Sequence, residues 1–443
     1  RWAAANDRIS LQHGRHDPAG KRIGDCRMAK PPPVESFGAA PHERPVPRIS
    51  IHAFCEFPDT GAALQRAGGD RRLAKAHLTV QLGGIAAAVD HYNGQVTPNL
   101  LIVETQLNGE AALEELDRLA EVCDPATKVI VVGRVNDVEL YRELMRRGAS
   151  EYLVAPLSPL QLIEVISGLY LDPGATPIGR VVAVVGARGG AGSSTLAHNI
   201  GWCIAEELHI NTTIVDLDLP FGTVGLDFND EASQGVSDAL SAPERLDDVL
   251  LDRLLLKRGD NLSLFTAPAA LERDYDAVPE SYEAVIDAVR QTTPCVILDL
   301  PHGWQPWIKN TLLAADDIVV VAAPDLTSLR NAKNIIELVK AARPNDTPPR
   351  LVINQVGMPK RPEIPAKDFA ETMGMEPAAI ISFEPALFGQ AANNGQMVME
   401  VAPKAAVSDS VRGLCRSLTG RSASASTGVA TSILSFLKGR KSA

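Results

Sequence analysis

The stretch VVAVVGARGGAGSST, residues 181 to 195, limits what this chain can fold into more than any other. Val181 to Val185 show no polar alternation, as expected of a parallel strand buried on both faces. Glycines follow at 186, 189, 190 and 192, and Ser193, Ser194 and Thr195 open a segment with helical spacing. Leu196, Ile200, Cys203, Ile204 and Leu208 fall on one side of that helix. Strand, glycine loop and helix in this order turn backbone N–H groups and a positive helix end towards an anion. The stretch reads as a nucleotide phosphate cradle.

The usual P-loop is G-x-x-x-x-G-K-[ST], with the lysine on the terminal phosphates and the hydroxyl on magnesium. In the aligned run Ala187-Arg188-Gly189-Gly190-Ala191-Gly192-Ser193-Ser194, Ala187 replaces the first glycine and Ser193 the lysine. The N–H cradle survives these changes because it is backbone, whereas the point charge at position 193 does not. Arg188 supplies a cation from a different place in the loop. The candidate phosphate-binding residues are Arg188, Gly189, Gly190, Ala191, Gly192, Ser193, Ser194 and Thr195. Two alternatives compete. The G-x-x-G-G-x-G spacing does not fit a dinucleotide-binding G-x-G-x-x-G, although Asp216 ends the next strand where a ribose-binding acid sits in such folds. A structural glycine turn without a ligand is the other.

A length of 443 residues suggests two or three domains. Residues 1–48 are polar, rich in Arg, His and Pro, and are expected to be disordered. Met28 precedes AKPPPVESF, so residues 1–27 read as a tag or an upstream extension. Residues 49–170 form one α/β unit, 171–180 a linker with two prolines and two glycines, 181–420 the P-loop unit and 421–443 a tail. The fold class expected is α/β, two doubly wound parallel sheets in succession. A net charge of −11 argues against a surface built wholly to grip nucleic acid. The six cysteines make no C-x-x-C pair and read as reduced thiols of a cytosolic protein. No membrane-spanning stretch or signal peptide is expected.

In the first unit, apolar runs at 49–55, 78–81, 99–104, 128–133 and 151–154 read as strands. Their order, and RRGASEYLVAPLSPLQL at 146–162 above all, resembles a response-regulator receiver. The positions that carry the receiver's phosphotransfer hold no Asp pair near Cys55 and Glu56, then Glu104, Gly133, and Ala155 before Pro156. The resemblance therefore implies an interaction unit without phosphotransfer.

In the second unit, IVDLD (Ile214 to Asp218) ends in two acids that share one side if the strand continues. CVILDL places Asp299 at the end of a buried strand, as a magnesium-bound nucleotide requires, with helix capping as the alternative. Glu244, Asp247 and Asp248 read as a solvated helix face. DIVVVAA and RLVINQV continue the strands, and a helix from about 404 to 418 closes the unit.

RGGAGSST, IVDLD, VILDLP and LVINQV, in that order, resemble the ParA/MinD family of deviant P-loop ATPases. The receiver-like unit in front, FGTVGLDFN after the acids and FEPALFGQAANNGQMV near the end are similar to its CpaE/TadZ branch. Those are pilus-assembly proteins of the tight-adherence (Flp/Tad, type IVb) secretion system. The resemblance implies ATP and Mg2+ as cofactors. It puts the signature cation on Arg188, the magnesium ligands on Ser194 and Asp299, and the switch acids on Asp216 and Asp218. Asp218 would orient water, and Asn354 would read adenine. It further implies a homodimer through the nucleotide face, with Arg188 reaching the partner's phosphates. The implied partners are a pilus secretion ATPase and inner-membrane pilus machinery, not nucleic acid. The implied location is cytoplasmic, at the inner membrane or cell pole.

Without the lysine at 193, the expected function is an ATP-responsive dimeric scaffold with weak or absent hydrolysis. The alternative is a working ATPase whose cycle drives polar localisation or cargo partitioning, with Arg188 compensating. A DNA-segregation role is disfavoured by the acidic balance. In the tail, Val429, Ile433, Phe436 and Leu437 share a helix face next to Lys438, Arg440 and Lys441. This reads as a short interfacial membrane segment, as MinD relatives carry, with a frayed tail or partner-docking helix as alternatives.

Overall fold

The wholly apolar runs become strands buried on both faces. The computed structural model describes residues 45–421, apart from 108, 171–177, 231–233, 269–270 and 272–276. Most of the expected N-terminal extension, most of the linker and nearly all of the tail thus lie outside the described residues. No helix among the described residues is long and apolar enough to cross a membrane.

The front sheet has five parallel strands: β1 (Ser50–Cys55), β2 (His77–Leu82), β3 (Leu100–Glu104), β4 (Lys128–Gly133) and β5 (Glu151–Val154). Their order is β2-β1-β3-β4-β5, the doubly wound arrangement anticipated from the receiver-like pattern. LLIVE of β3 is buried at every position, while the edge strand β2 is exposed or half-exposed throughout. Leu64, Leu162 and Ile163 pack on one face, and Ile85, Leu116 and Leu144 on the other.

Glu104 ends β3 where a receiver's phosphoacceptor would lie. Its carboxylate is buried and accepts the Glu56 and Phe57 amides at 2.9 and 3.0 Å and the Thr60 hydroxyl at 2.8 Å. It therefore ties the two residues leading into the helix Pro58–Gly68, and that helix's Thr60, to the end of β3. The acid is a structural tie, in keeping with a unit that lacks the rest of the phosphotransfer set.

The rear sheet has eight strands: β6 (Arg180–Gly186), β7 (Thr212–Asp216), β8 (Leu256–Arg258), β9 (Leu262–Phe265), β10 (Cys295–Leu300), β11 (Asp317–Ala322), β12 (Arg350–Val356) and β13 (Ala379–Ser382). The order is β13-β12-β11-β6-β10-β7-β9-β8, parallel except for β8 against β9. β6 thus sits between β10 and β11, and its glycine loop leaves the carboxyl edge at the point where the winding reverses. One expectation is corrected. The second strand stops at Asp216 rather than running to Asp218, because the Asp218 amide donates back to Asp216 Oδ1 at 3.1 Å and turns the chain. The two acids do not share one face of a strand.

A buried ion cluster joins the two sheets' surroundings at the amino edge of the rear sheet. Arg71 pairs with Asp346 at 2.8 Å and with Asp316 at 3.0 Å. Arg72 holds Asp70 at 2.8 Å and Asp346 at 3.0 Å. Arg290 and the Val181 amide take the other Asp316 oxygen at 3.0 and 2.9 Å, Arg343 reaches Asp346 at 2.7 Å, and Asn345 donates to Asp70. Burial pushes the Asp70 and Asp346 carboxyls up. The bonds from Arg72 to Asp70, and the charges of Arg71, Arg343 and Arg72 around Asp346, carry both below their ordinary range.

Removing one partner of such a network leaves charges buried without compensation. Arg71→Ala is expected to lower stability in urea unfolding at neutral pH by about 3 kcal/mol, and Arg71→Lys to recover only part of it. Because the folded-state carboxyl pKa values are depressed, their contribution is present above the ordinary carboxylate range, about pH 4, and is lost as pH falls through the lowered values. The difference between wild type and Arg71→Ala is therefore expected to shrink in acid.

Candidate phosphate site

The loop between β6 and the helix Ser193–Trp202 is fixed by its carbonyls. Ala187 N donates to Val321 O of β11 at 2.8 Å, which anchors the loop at the sheet edge. His302 Nδ1 lies 3.3 Å from Gly186 O, and Asn331 Nδ2 donates to Ala187 O at 2.8 Å. Ala191 N donates to Arg188 O, and the Arg188 guanidinium to Gly189 O. Gln355 Nε2 donates to Gly190 O and Asn354 Nδ2 to Ala191 O, both at 2.9 Å. Each carbonyl from Ala187 to Ala191 therefore has a donor at hand, and Gly186 O has the His302 ring beside it. The N–H groups of Gly189, Gly190, Gly192, Ser193 and Ser194 have no acceptor among the described residues. Peptide units held by their oxygens present their N–H groups to whatever enters the loop. Gly190 and Gly192 have φ of +75° and +86°, and a Cβ on Gly192 would stand 2.5 Å from Asn354 Nδ2.

Arg188, the expected signature cation, lies back on its own chain. Its Nε pairs with Asp325 Oδ2 at 2.9 Å. Asp325 also caps the helix Leu326–Ala342 through the Ser328 amide at 2.8 Å. Burial would raise the Asp325 carboxyl, but the Ser328 amide and Arg188 hold it below its usual value. Ser193, in the lysine position, turns its hydroxyl over Gly186, where a Cβ would meet it at 2.9 Å. Ser194 and Thr195 open the helix, next to the free amides.

The three acids differ in setting. Asp216 is fully buried and accepts the Asp218 and Val224 amides, each at 3.1 Å. Burial, then the charge of Asp299, pushes its pKa up to about 7. Asp218 is raised by burial in spite of the Phe221 amide that donates to it. Asp299 is 2% exposed, and its Oδ1 has no partner among the described residues.

The other Asp299 oxygen lies 3.4 Å from His198 Nε2, and His198 Nδ1 lies 2.7 Å from Asp227. Burial alone would lower the pKa of His198, but the bond to Asp227 and the nearby Asp299 carboxylate raise it to about 10. Nothing in the sequence reading singled His198 out. The available signal was its place one helical turn after Ser194, which gains meaning only with Asp299 alongside.

The unpartnered Asp299 oxygen has the chemistry of a magnesium ligand. Asp299 Oδ1 is buried and unpartnered, and Ser194 lies in the first turn of the helix, while no group of three or more His, Cys, Asp or Glu among the described residues could hold a metal by itself. One carboxylate and one hydroxyl, completed by water and phosphate oxygens, is how magnesium is commonly held.

A cavity of about 190 Å3 adjoins the loop, walled by Phe383, Pro385, Phe388, Met397 and Val398 and floored by Thr195 and Asn354. The FEPALFGQAANNGQMV run thus supplies most of an apolar wall, a role its residues did not announce. Asn354 is 6% exposed, and besides holding Ala191 O it accepts the Gln355 amide on its own oxygen. Its side chain is engaged with the loop as well as lining the cavity.

No protein-family model matches the chain. The septum site-determining protein MinD of Bacillus subtilis (strain 168) is 26% identical over 251 residues, 55% of this chain and 91% of that protein. A solved ParA family ATPase from Chlorobium tepidum TLS is 26% identical, with 54% of this chain and 98% of that chain covered and a TM-score of 0.48. A solved pilus assembly protein CpaE from Caulobacter crescentus CB15 is 54% identical, with 29% of this chain and 98% of that chain covered and a TM-score of 0.29.

The His198 pairing makes a direct test of the acid cluster. His198→Ala leaves Asp299 and Asp227 without their shared partner and is expected to cost about 3 kcal/mol in urea unfolding. His198→Gln, which retains a donor, is expected to fall between the two.

Proposed function

Because the chain belongs to the CpaE family of pilus assembly proteins, with an ATPase part of ParA/MinD type, we propose that it is a nucleotide-binding assembly and localisation factor for a Flp/Tad pilus secretion machine. It works as an ATP-responsive dimeric scaffold with slow or no hydrolysis. The observation that carries this reading is a loop whose carbonyls from Ala187 to Ala191 are all engaged and most of whose N–H groups have no acceptor among the described residues, while its lysine position holds Ser193. Anion binding by peptide dipoles needs no side-chain charge, whereas phosphoryl transfer leans on neutralising the charge that develops in the transition state.

In this reading the free amides of Gly189, Gly190, Gly192, Ser193 and Ser194 hold the phosphates, and the Phe383–Phe388 wall takes the base. Ser194 and Asp299 hold magnesium, which supplies charge neutralisation between phosphate oxygens. Asp218 orients water when hydrolysis occurs. Arg188 exchanges Asp325 for a phosphate of the second copy, a bidentate contact for which a guanidinium is suited. Phe221, Leu226, Trp304 and Leu326 are 68%, 75%, 51% and 73% exposed on segments that follow β7, β10 and β11. Apolar side chains left in water around an anion site support a face that closes on another copy. The pilus secretion ATPase, the inner-membrane machinery and contact of the tail with a membrane surface at the cell pole belong to the same proposal.

ATP binding by calorimetry and turnover are to be measured side by side for the wild type, Ser193→Lys and Arg188→Ala. Wild-type binding with little turnover, and at least about tenfold faster turnover in Ser193→Lys, is the expected outcome. Rapid turnover by the unmodified chain would favour a cycling ATPase instead.

A further inference from the structure

We infer that Asn331, Asn354 and Gln355 are positioning residues of the cradle, side-chain amides that keep the loop's carbonyls turned outward so that its N–H groups face the phosphates. This rests on the reading of the loop as a phosphate site. Asn354 and Gln355 donate to the consecutive oxygens of Ala191 and Gly190, both at 2.9 Å, and Asn331 to that of Ala187, at the start of the loop, at 2.8 Å. They arrive from two different elements, Asn331 from the helix Leu326–Ala342 and the other two from β12.

The loop needs such holding. Glycines tolerate both signs of φ, and a peptide flanked by them can turn over with little steric penalty. A turned peptide would present its carbonyl, not its N–H, to the anion. The amides add no charge and so leave anion recognition to the backbone.

Gln355 carries an independent mark of this task. It has φ of +60°, uncommon for a residue with a side chain, and it lies where the β12–β13 register shifts between Ile353 and Val356. Irregularities of this kind re-aim a side chain that the regular pleat would point elsewhere. Here the aim is Gly190 O.

The test uses the full chain with Gln355→Met, which removes the donor, and Gln355→Glu, which puts an acceptor against the carbonyl. Affinities for Mg-ATP and for tripolyphosphate are measured by calorimetry, with amide exchange of residues 186–195 in the absence of ligand and the unfolding midpoint as controls. The expected result is affinity in the order wild type, Met, Glu, with about a tenfold loss or more for Glu on both ligands. Local exchange should speed up while the unfolding midpoint stays. Equal affinities in a wild type that binds would overturn the inference and leave the phosphate reading intact. Loss of affinity only in step with a falling midpoint would also overturn it, as the mark of a merely structural residue. A wild type that binds neither ligand would remove the phosphate reading itself, and this inference with it.

Discussion

A peptide group is a dipole with two ends, and an anion site made of backbone works only while the peptides cannot turn round. That constraint organises the rear sheet's carboxyl edge. β6 lies between β10 and β11, so side chains from β11's following helix, from the loop after β10 and from β12 all reach the same loop. A hydrogen bond of this neutral kind is worth about 1 kcal/mol net. Several of them acting on one short loop define its conformation before any ligand arrives. The lysine that most P-loops carry both attracts and orients phosphate; under the proposed function, orientation would come from the scaffold and attraction from amides and a helix end.

Much of the fold was legible because its strands are buried on both faces and carry almost nothing but Val, Ile, Leu and Ala. The runs at Leu100–Glu104, Arg180–Gly186 and Cys295–Leu300 admit few other readings. β8 and β13 escaped because three or four residues at a sheet edge are too short to show a period. The end of β7 was misjudged because a side-chain acceptor, Asp216 Oδ1, turns the chain where apolar pattern alone would carry it on. The site divides in the same way. Its glycines and hydroxyls are contiguous and could be read. His198 could not, since its significance comes from Asp299 and Asp227, which only the fold brings to it. Asn331 and Gln355 were equally silent, for an amide says nothing of which carbonyl it will meet.

The front unit shows how an acid can persist in place while its chemistry departs. Glu104 occupies the end of β3, but its two oxygens face two amides and a hydroxyl of the helix that begins at Pro58. With no lysine and no hydroxyl at the positions a receiver would use, the carboxylate has become part of the architecture.

The ion cluster around Arg71, Asp316 and Asp346 lies at the beginnings of the rear strands, and the glycine loop opens at their ends. The rim that holds the ion cluster and the rim that carries the glycine loop are kept apart by the length of a strand.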